Sequence, residues 1–287
     1  MFEANPRATD AMVDEFKAEN GLYPGVKGYV RGYFEWLGKF LQGPASWPKS
    51  IEGNGEVWEP LRYSFFNTLR LAFTAVVFGV GIGVAVGILA SRKPGGWLDT
   101  SVNTTAFFVG GIPSFVSAVI LQFVFAVQLA WLPAAGVYPP GHEGFDLWEM
   151  LKHMILPVAV VAIQTIGDYA RFTRASVLDV ASADFLRTAR SKGIAERRVL
   201  FRHSVRNALI PIVTITALQL GPLIGGLIIT ENIFNYPGMG VYFVDAANIG
   251  DYPKLLPFLV IFTISVIVFN LIADVLYAAL DPRIRLD

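Results

Sequence analysis

The sequence contains no cysteine. It therefore cannot build a disulfide framework, a thiol nucleophile, an iron–sulfur cluster or a cysteine-ligated zinc site. Histidine is scarce too: three residues leave little material for a metal centre, and none is expected. Net charge is also missing. The 23 Lys and Arg are balanced by 23 Asp and Glu, so no bulk field draws a polyanion and no nucleic-acid partner is expected. The phosphate-loop pattern G-x4-G-K-[ST] is absent, which removes the backbone cradle for a nucleotide; G-x-S-x-G and H-E-x-x-H are absent as well. Neither a catalytic residue nor a cofactor held by this chain is expected. What the sequence has in excess is apolar material. Of 287 residues, 54% are hydrophobic and 16% charged, with a mean hydropathy of +0.50. That is too apolar for an ordinary soluble domain, excludes disorder, and points to a membrane protein.

A bilayer core of roughly 30 Å needs about 20 mostly apolar helical residues. Five stretches qualify: Thr68–Ala90, Phe107–Leu132, Met154–Arg171, Leu209–Phe234 and Leu255–Leu280. The class this predicts is all-α, a polytopic transmembrane helical bundle. Basic short loops stay in the cytoplasm, so the joints between spans carry the orientation. The joint Ser91–Thr104 has Arg92 and Lys93 against Asp99. The long joint after the third span has nine basic residues, from Arg171 to Arg206, against Asp179, Asp184 and Glu196. Both face inward. The joints Pro133–His153 and Asn235–Lys254 are on balance acidic and face outward. The scheme places residues 1–65 outside and the C-terminal tail in the cytoplasm. Residues 1–65 hold no signal peptide and no spanning stretch that would carry them across. The expectation is therefore a sixth span ahead of this sequence.

In the outer segment, Thr9 or Asp10 can cap a helix that stops at Asn20–Gly21. Tyr29, Tyr33, Trp36, Leu37 and Phe40 follow a helical period and form one aromatic face, which suits either the headgroup region or packing on other spans. Gly43–Pro60, with three Pro and three Gly, reads as a loop. Within the spans, Gly79, Gly83 and Gly87 clear one helix face for close backbone approach, and Gly221 and Gly225 repeat the device; packing and a moving contact both fit. Polar groups in the spans are costly against lipid and should face an interior, a cavity or an interface. Gln164, Gln219 and Asn270 are candidates to line a solute pathway, with an interhelical bond as the alternative for each glutamine. Asp168, Glu231 and Asp274 are candidate polar or gating contacts. Asp168 and Asp274 lie toward the cytoplasmic ends, where basic residues of the joint or the tail are the expected partners.

The basic joint carries the strongest signal. Asp184 can cap a short helix, Phe185–Lys192, that Gly193 ends, giving a compact surface for another protein or an anchor for anionic lipid. This stretch resembles the signature segment of the membrane subunits of ABC importers of the peptide, dipeptide and nickel type. The family pattern E-A-A-x3-G followed by I-x-L-P stands here as RTARSKG, Arg187 to Gly193, and NALIP, Asn207 to Pro211. Arg187 and Thr188 replace the acid and the first Ala, and the spacing to Pro211 is longer; both resemble the peptide-type variant. Asn67-Thr68-Leu69, GIPSF (Gly111–Phe115), WLPAAG (Trp131–Gly136), ENIFNYPGMG (Glu231–Gly240), DYP (Asp251–Pro253) and LDPRIR (Leu280–Arg285) extend the resemblance over nearly the whole chain. The outer segment is similar to that of the first of the two paired permeases, although the family's G-D-x-G-x-S stretch is not clear in residues 43–56.

The resemblance implies a permease domain over residues 66–287 with a cytoplasmic coupling loop at 172–208, in a bacterial or archaeal cell membrane. It implies a homologous second permease, two ATP-binding cassette subunits or domains that bind ATP and Mg, and an extracytoplasmic solute-binding protein. It also implies that Asp184, Phe185, Leu186, Arg187, Thr188, Ala189, Arg190, Lys192 and Gly193 form the ATPase-coupling helix, with Phe185 and Leu186 as apolar anchors. Peptides are the leading solute. Two rival readings remain open at this point. An ion-coupled secondary transporter needs internal repeats and broken helices around a midplane ion site, and no repeat is evident. An intramembrane aspartyl protease needs Asp168 and Asp274 as a pair sharing a proton, but the glycine-flanked G-x-G-D element is missing.

Overall fold

The computed structural model describes residues 25–51, 55–181, 191, 205–225 and 227–280. All regular structure among these residues is helical. The helices are α1 (Gly25–Leu41), α2 (Trp58–Ser91), α3 (Trp97–Gly111), α4 (Ser114–Leu121), α5 (Leu147–Ala181), α6 (Arg206–Ile224), α7 (Ile228–Ile233), α8 (Met239–Ile249) and α9 (Tyr252–Leu280). The chain divides into two compact units. One comprises the residues up to Tyr63 with Tyr242–Ile261, the other Ser64–Val241 with the residues from Phe262 onward.

Among the described residues, three helices, α2, α5 and α9, are long and apolar enough to cross a bilayer. At 1.5 Å rise per residue, the 34 residues of α2 reach about 50 Å, well past the hydrocarbon core. Their ends are fixed by identifiable groups. Asp146 caps α5, its Oδ1 accepting from the backbone N–H groups of Trp148 (2.8 Å) and Glu149 (3.1 Å). Asp251 caps α9: its carboxylate accepts from the Lys254 N–H at 3.4 Å and from the Ser50 hydroxyl at 2.5 Å. Helix α2 begins at Trp58, so Pro60, expected in a loop, lies in its first turn. That position tolerates proline because the first N–H groups of a helix have no partner within it.

The remaining two stretches are not continuous spans, which corrects the reading from hydropathy. Phe107–Leu132 is broken at Ile112–Pro113, where α3 turns by 97° into α4, which runs on as a π-helical stretch, Gln122–Gln128. Pro113 lacks an N–H and forces the residue before it out of the helical region; Ile112 is extended, with φ −85° and ψ 122°. Leu209–Phe234 is interrupted between Ile224, the end of α6, and Ile228, the start of α7.

In the first unit, Trp36 stacks on Phe40 (5.2 Å between centroids) and Phe40 on Trp47 (4.9 Å). Trp47 in turn meets Trp58 edge-on at 5.6 Å and donates from Nε1 to the Phe40 carbonyl at 3.1 Å. The aromatic face of α1 is thus divided: Trp36 and Phe40 turn toward Trp47, whereas Tyr33 stays exposed with Val26, Val30, Phe34 and Leu41. Burial pushes the Tyr242 phenol of α8 above its ordinary value, and the negative charge of Asp251 adds to the shift.

The second unit is built around α5. Leu71 and Ala75 of α2, Ala118 of α4, Met154, Leu156 and Val160 of α5, and Phe234 and Tyr236 after α7 form its buried core. Gly79, Gly83 and Gly87 lay α2 against α5 so closely that a Cβ would sit 2.7 Å from Thr165 Cβ, 2.8 Å from Tyr169 Cβ and 2.5 Å from the Ala170 carbonyl, respectively. On α6, a Cβ at Gly221 would come 3.1 Å from Val266 Cα of α9, and one at Gly225 would enter the Phe262 ring. Both glycine stripes are helix contacts.

Candidate functional site

A cleft of about 440 Å³ opens in the second unit where α5, α6 and the break before α7 meet. Helical spacing places Gln164, Thr165 and Asp168 of α5 along it, and Gln219 and Leu223 along the facing side of α6. Ser114, at the start of α4, and Ile228–Thr230 complete the lining. Two of the three expected pathway residues, Gln164 and Gln219, therefore meet here. Asn270 does not line the cleft; it is exposed on α9.

The polar groups of the cleft are partly satisfied by one another. The kink at Ile112–Pro113 frees the Ile112 carbonyl from its helix, and Gln164 Nε2 donates to it at 3.4 Å. Tyr169, buried on α5, donates its hydroxyl to Gln219 Oε1 at 3.0 Å, a bond that joins α5 to α6 across the cleft. Thr165 donates to the Val161 carbonyl of its own helix at 2.8 Å. The acidic group lining the cleft, Asp168, is paired with Arg171 at 2.7 Å. The surface is thus one of carboxamides, hydroxyls and aliphatic side chains with its carboxylate offset, suited to single hydrogen bonds with an uncharged or zwitterionic solute. Asp274 is exposed on α9 and does not line the cleft, so the aspartate pair of an intramembrane protease is not assembled there. No cluster of three or more His, Cys, Asp or Glu stands ready for a metal among the described residues.

Glu231 lies elsewhere and is completely buried. Its Oε1 accepts from the Thr68 hydroxyl at 2.6 Å, and its Oε2 from the Gly240 N–H at 2.6 Å, at the start of α8. Thr68 Oγ1 accepts in turn from the Met239 N–H at 2.7 Å, Asn67 Nδ2 donates to the Pro237 carbonyl at 2.9 Å, and the Tyr236 hydroxyl donates to the Asn67 carbonyl at 3.3 Å. Asn67-Thr68 and the Glu231–Gly240 block are therefore two halves of one clamp, with a carboxylate at a helix N-terminus where the peptide dipoles favour it. Gly238 and Gly240 leave it room: a Cβ at Gly238 would overlap the Glu231 carboxylate.

A third polar cluster joins α3 to α5. Arg174 donates through Nε and Nη2 to the two carboxylate oxygens of Asp99, the latter at 2.7 Å. The Gly95 N–H (2.8 Å) and Asn103 Nδ2 (2.7 Å) also donate to this carboxylate. Sequence reasoning singled out neither Asp99 nor Arg174 nor Tyr169 as a site; a lone acid in a basic joint is the one signal that pointed toward Asp99. Asp184, Phe185, Leu186, Arg187, Thr188, Ala189, Arg190, Lys192 and Gly193 lie outside the described residues.

Residues 83–286 match the model of the binding-protein-dependent transport system inner membrane component. The chain belongs to this family. The permease is 38% identical over 282 residues to the oligopeptide transport system permease protein AppB of Bacillus subtilis (strain 168), covering 98% of this chain and 87% of that protein. It is 36% identical over 282 residues, with the same coverage, to the glutathione transport system permease protein GsiC of Escherichia coli (strain K12). An inward-facing crystal form of the MetNI methionine ABC transporter shares its fold, with a TM-score of 0.62 over 77% of this chain and 96% of that one at 18% identity. A crystal structure of an amino acid ABC transporter aligns with a TM-score of 0.54 over 78% of this chain and 94% of that one, at 16% identity. The permease is an all-α, multi-pass membrane component of an ABC importer, in agreement with the class and family expected from its sequence.

Proposed function

We propose that the permease forms half of the pathway for short peptides or closely related solutes, paired with a homologous permease. Two ATPase subunits or domains drive it, with ATP and Mg held on them, and an extracytoplasmic binding protein loads it. The observation that carries this reading is the cleft. Its two facing helices, α5 and α6, are the ones that lead into and out of residues 182–204, the stretch to which the ATPase contact at Asp184–Gly193 is assigned by this proposal. Oligopeptide and glutathione permeases among the relatives supply the solute class. Hydrogen bonds from Gln164, Gln219 and Ser114 suit amide groups, and each is worth about 0.5–1.5 kcal/mol net, weak enough for release. The ATPase contact, through Phe185 and Leu186 with Arg187, Arg190 and Lys192 at its rim, favours one arrangement of the cleft in one nucleotide state and the other in the next; differential affinity of that kind is what moves an equilibrium. Residues 1–65 and the loop before α5 lie outside, and residues 172–208 and the C-terminus lie in the cytoplasm.

Reconstitution tests this directly. Liposomes carrying both permeases and the ATPases, given the binding protein, ATP and labelled di- and oligopeptides, are expected to accumulate peptide. Phe185→Ala with Leu186→Ala should leave ATP turnover uncoupled from uptake or weaken assembly. Accumulation by the purified permease alone, without ATPase or nucleotide, would overturn the proposal.

A further inference from the structure

We infer that the Asp99–Arg174 pair is the joint that carries displacement of the chain beyond Ala181 into α3 and so to the kink beside the cleft. This rests on the proposal that an ATPase acts on residues 182–204. Arg174 stands seven residues before the end of α5 at Ala181, about two helical turns from the segment on which the drive acts. Its guanidinium meets the Asp99 carboxylate fork to fork, the geometry that fixes direction as well as distance. Asp99 is almost wholly buried and is held from its own side by the Gly95 N–H and by Asn103, so the carboxylate cannot swing with the arginine without taking the start of α3 along.

The neighbouring contacts make α3 a lever. Farther along, Gly167 of α5 lies against the backbone of Ala106 of α3, where an added Cβ would come 3.3 Å from Ala106 Cα. Helix α3 is therefore held to α5 at two heights, Asp99 and Ala106, and ends at Gly111, directly before Ile112, whose carbonyl is bonded to Gln164 in the cleft. On the other flank Gly87 packs on α5 at the level of the joint, a Cβ there reaching within 3.1 Å of the Arg174 N. Stability alone does not account for the pair, because well-packed apolar residues commonly hold two helices at least as well as a buried ion pair does. A fixed, directional linkage does account for it.

The test uses the complete reconstituted transporter and reads solute accumulated per ATP hydrolysed. Asp99→Asn and Arg174→Gln are expected to lower this ratio at least tenfold while binding-protein-stimulated ATP hydrolysis stays within about twofold of wild type. Arg174→Lys keeps the charge but gives up the fork and should lower it about threefold; it also serves where the neutral variants assemble poorly. Because residues 1–287 contain no cysteine, Asp99→Cys with Arg174→Cys can be bridged by a reducible thiol cross-linker. Bridging should restore the ratio and reduction should abolish it again. Wild-type solute per ATP in Asp99→Asn, or a bridged pair that stays uncoupled, would overturn the joint. Wild-type transporter that accumulates solute without ATP would instead overturn the proposal beneath it.

Discussion

A methyl group at Gly238 would run into the Glu231 carboxylate, which has no free direction in which to yield because each of its oxygens already accepts a hydrogen bond. Gly238→Ala is accordingly expected to destabilise the permease by about 1–3 kcal/mol, the usual range for overpacking, read from denaturation of the detergent-solubilised complex. Thr68→Val is a sharper probe. It nearly keeps the shape but leaves the Met239 N–H and Glu231 Oε1 each short of a partner, at about 1–3 kcal/mol for a buried group so stranded. Thr68→Ser retains both bonds and should recover most of the loss. If the clamp holds structure rather than solute, the fraction that remains folded transports with unchanged affinity; a changed KM at wild-type stability would assign Glu231 to the pathway instead. The residues of this clamp stand in the sequence within blocks that resemble the family's motifs, and Glu231 as a costly polar group. Their pairing was not, because 163 residues separate Thr68 from Glu231 and hydropathy carries no information about contact at that range.

Among the helices, the glycine spacing on α2 contains its own control. Gly79, Gly83 and Gly87 face α5, whereas Gly81 points away and has nothing within 4 Å of where a Cβ would be. Gly87→Ala must push α2 off the Ala170 carbonyl and should cost about 1–3 kcal/mol. Gly81→Ala should be neutral or stabilising by up to about 1 kcal/mol, since alanine is the better helix former. Thermal unfolding of the two variants side by side decides it, and equal loss in both would remove the stripe as a packing face. This contact was legible from a four-residue interval alone. So were α2, α5 and α9, whose apolar runs are long and uninterrupted. Phe107–Leu132 and Leu209–Phe234 misled because hydropathy measures how apolar a segment is, not whether it is straight. The signals that broke them, Pro113 after Gly110-Gly111 and Pro222 ahead of Gly225, are compatible with a bend in a continuous helix as well as with a full turn. Only the neighbours that bind the freed groups, such as Gln164 at the Ile112 carbonyl, distinguish the two cases.

In the transport cycle proposed above for the whole complex, the cleft is closed while the permease waits and open when solute passes, so the bonds that cross it are expected to set the resting balance. The hydroxyl of Tyr169 on Gln219 Oε1 is such a bond, and it joins the two helices that lead into and out of residues 182–204. Tyr169→Phe removes that hydroxyl and little else. A neutral hydrogen bond is worth about 0.5–1.5 kcal/mol net, so its loss should shift the closed-to-open ratio by about two- to twelvefold. The shift should appear as ATP hydrolysis by the reconstituted complex in the absence of binding protein and solute, raised several-fold over wild type. Hydrolysis with saturating binding protein should change little, because the open arrangement is then already favoured. Gln219→Leu, which removes the acceptor, should reproduce the effect, and the double variant should add nothing to either single change, as two halves of one bond must. Additive effects would mean that Tyr169 and Gln219 act through separate partners, and unchanged basal hydrolysis would show that the bond does not hold the cleft shut.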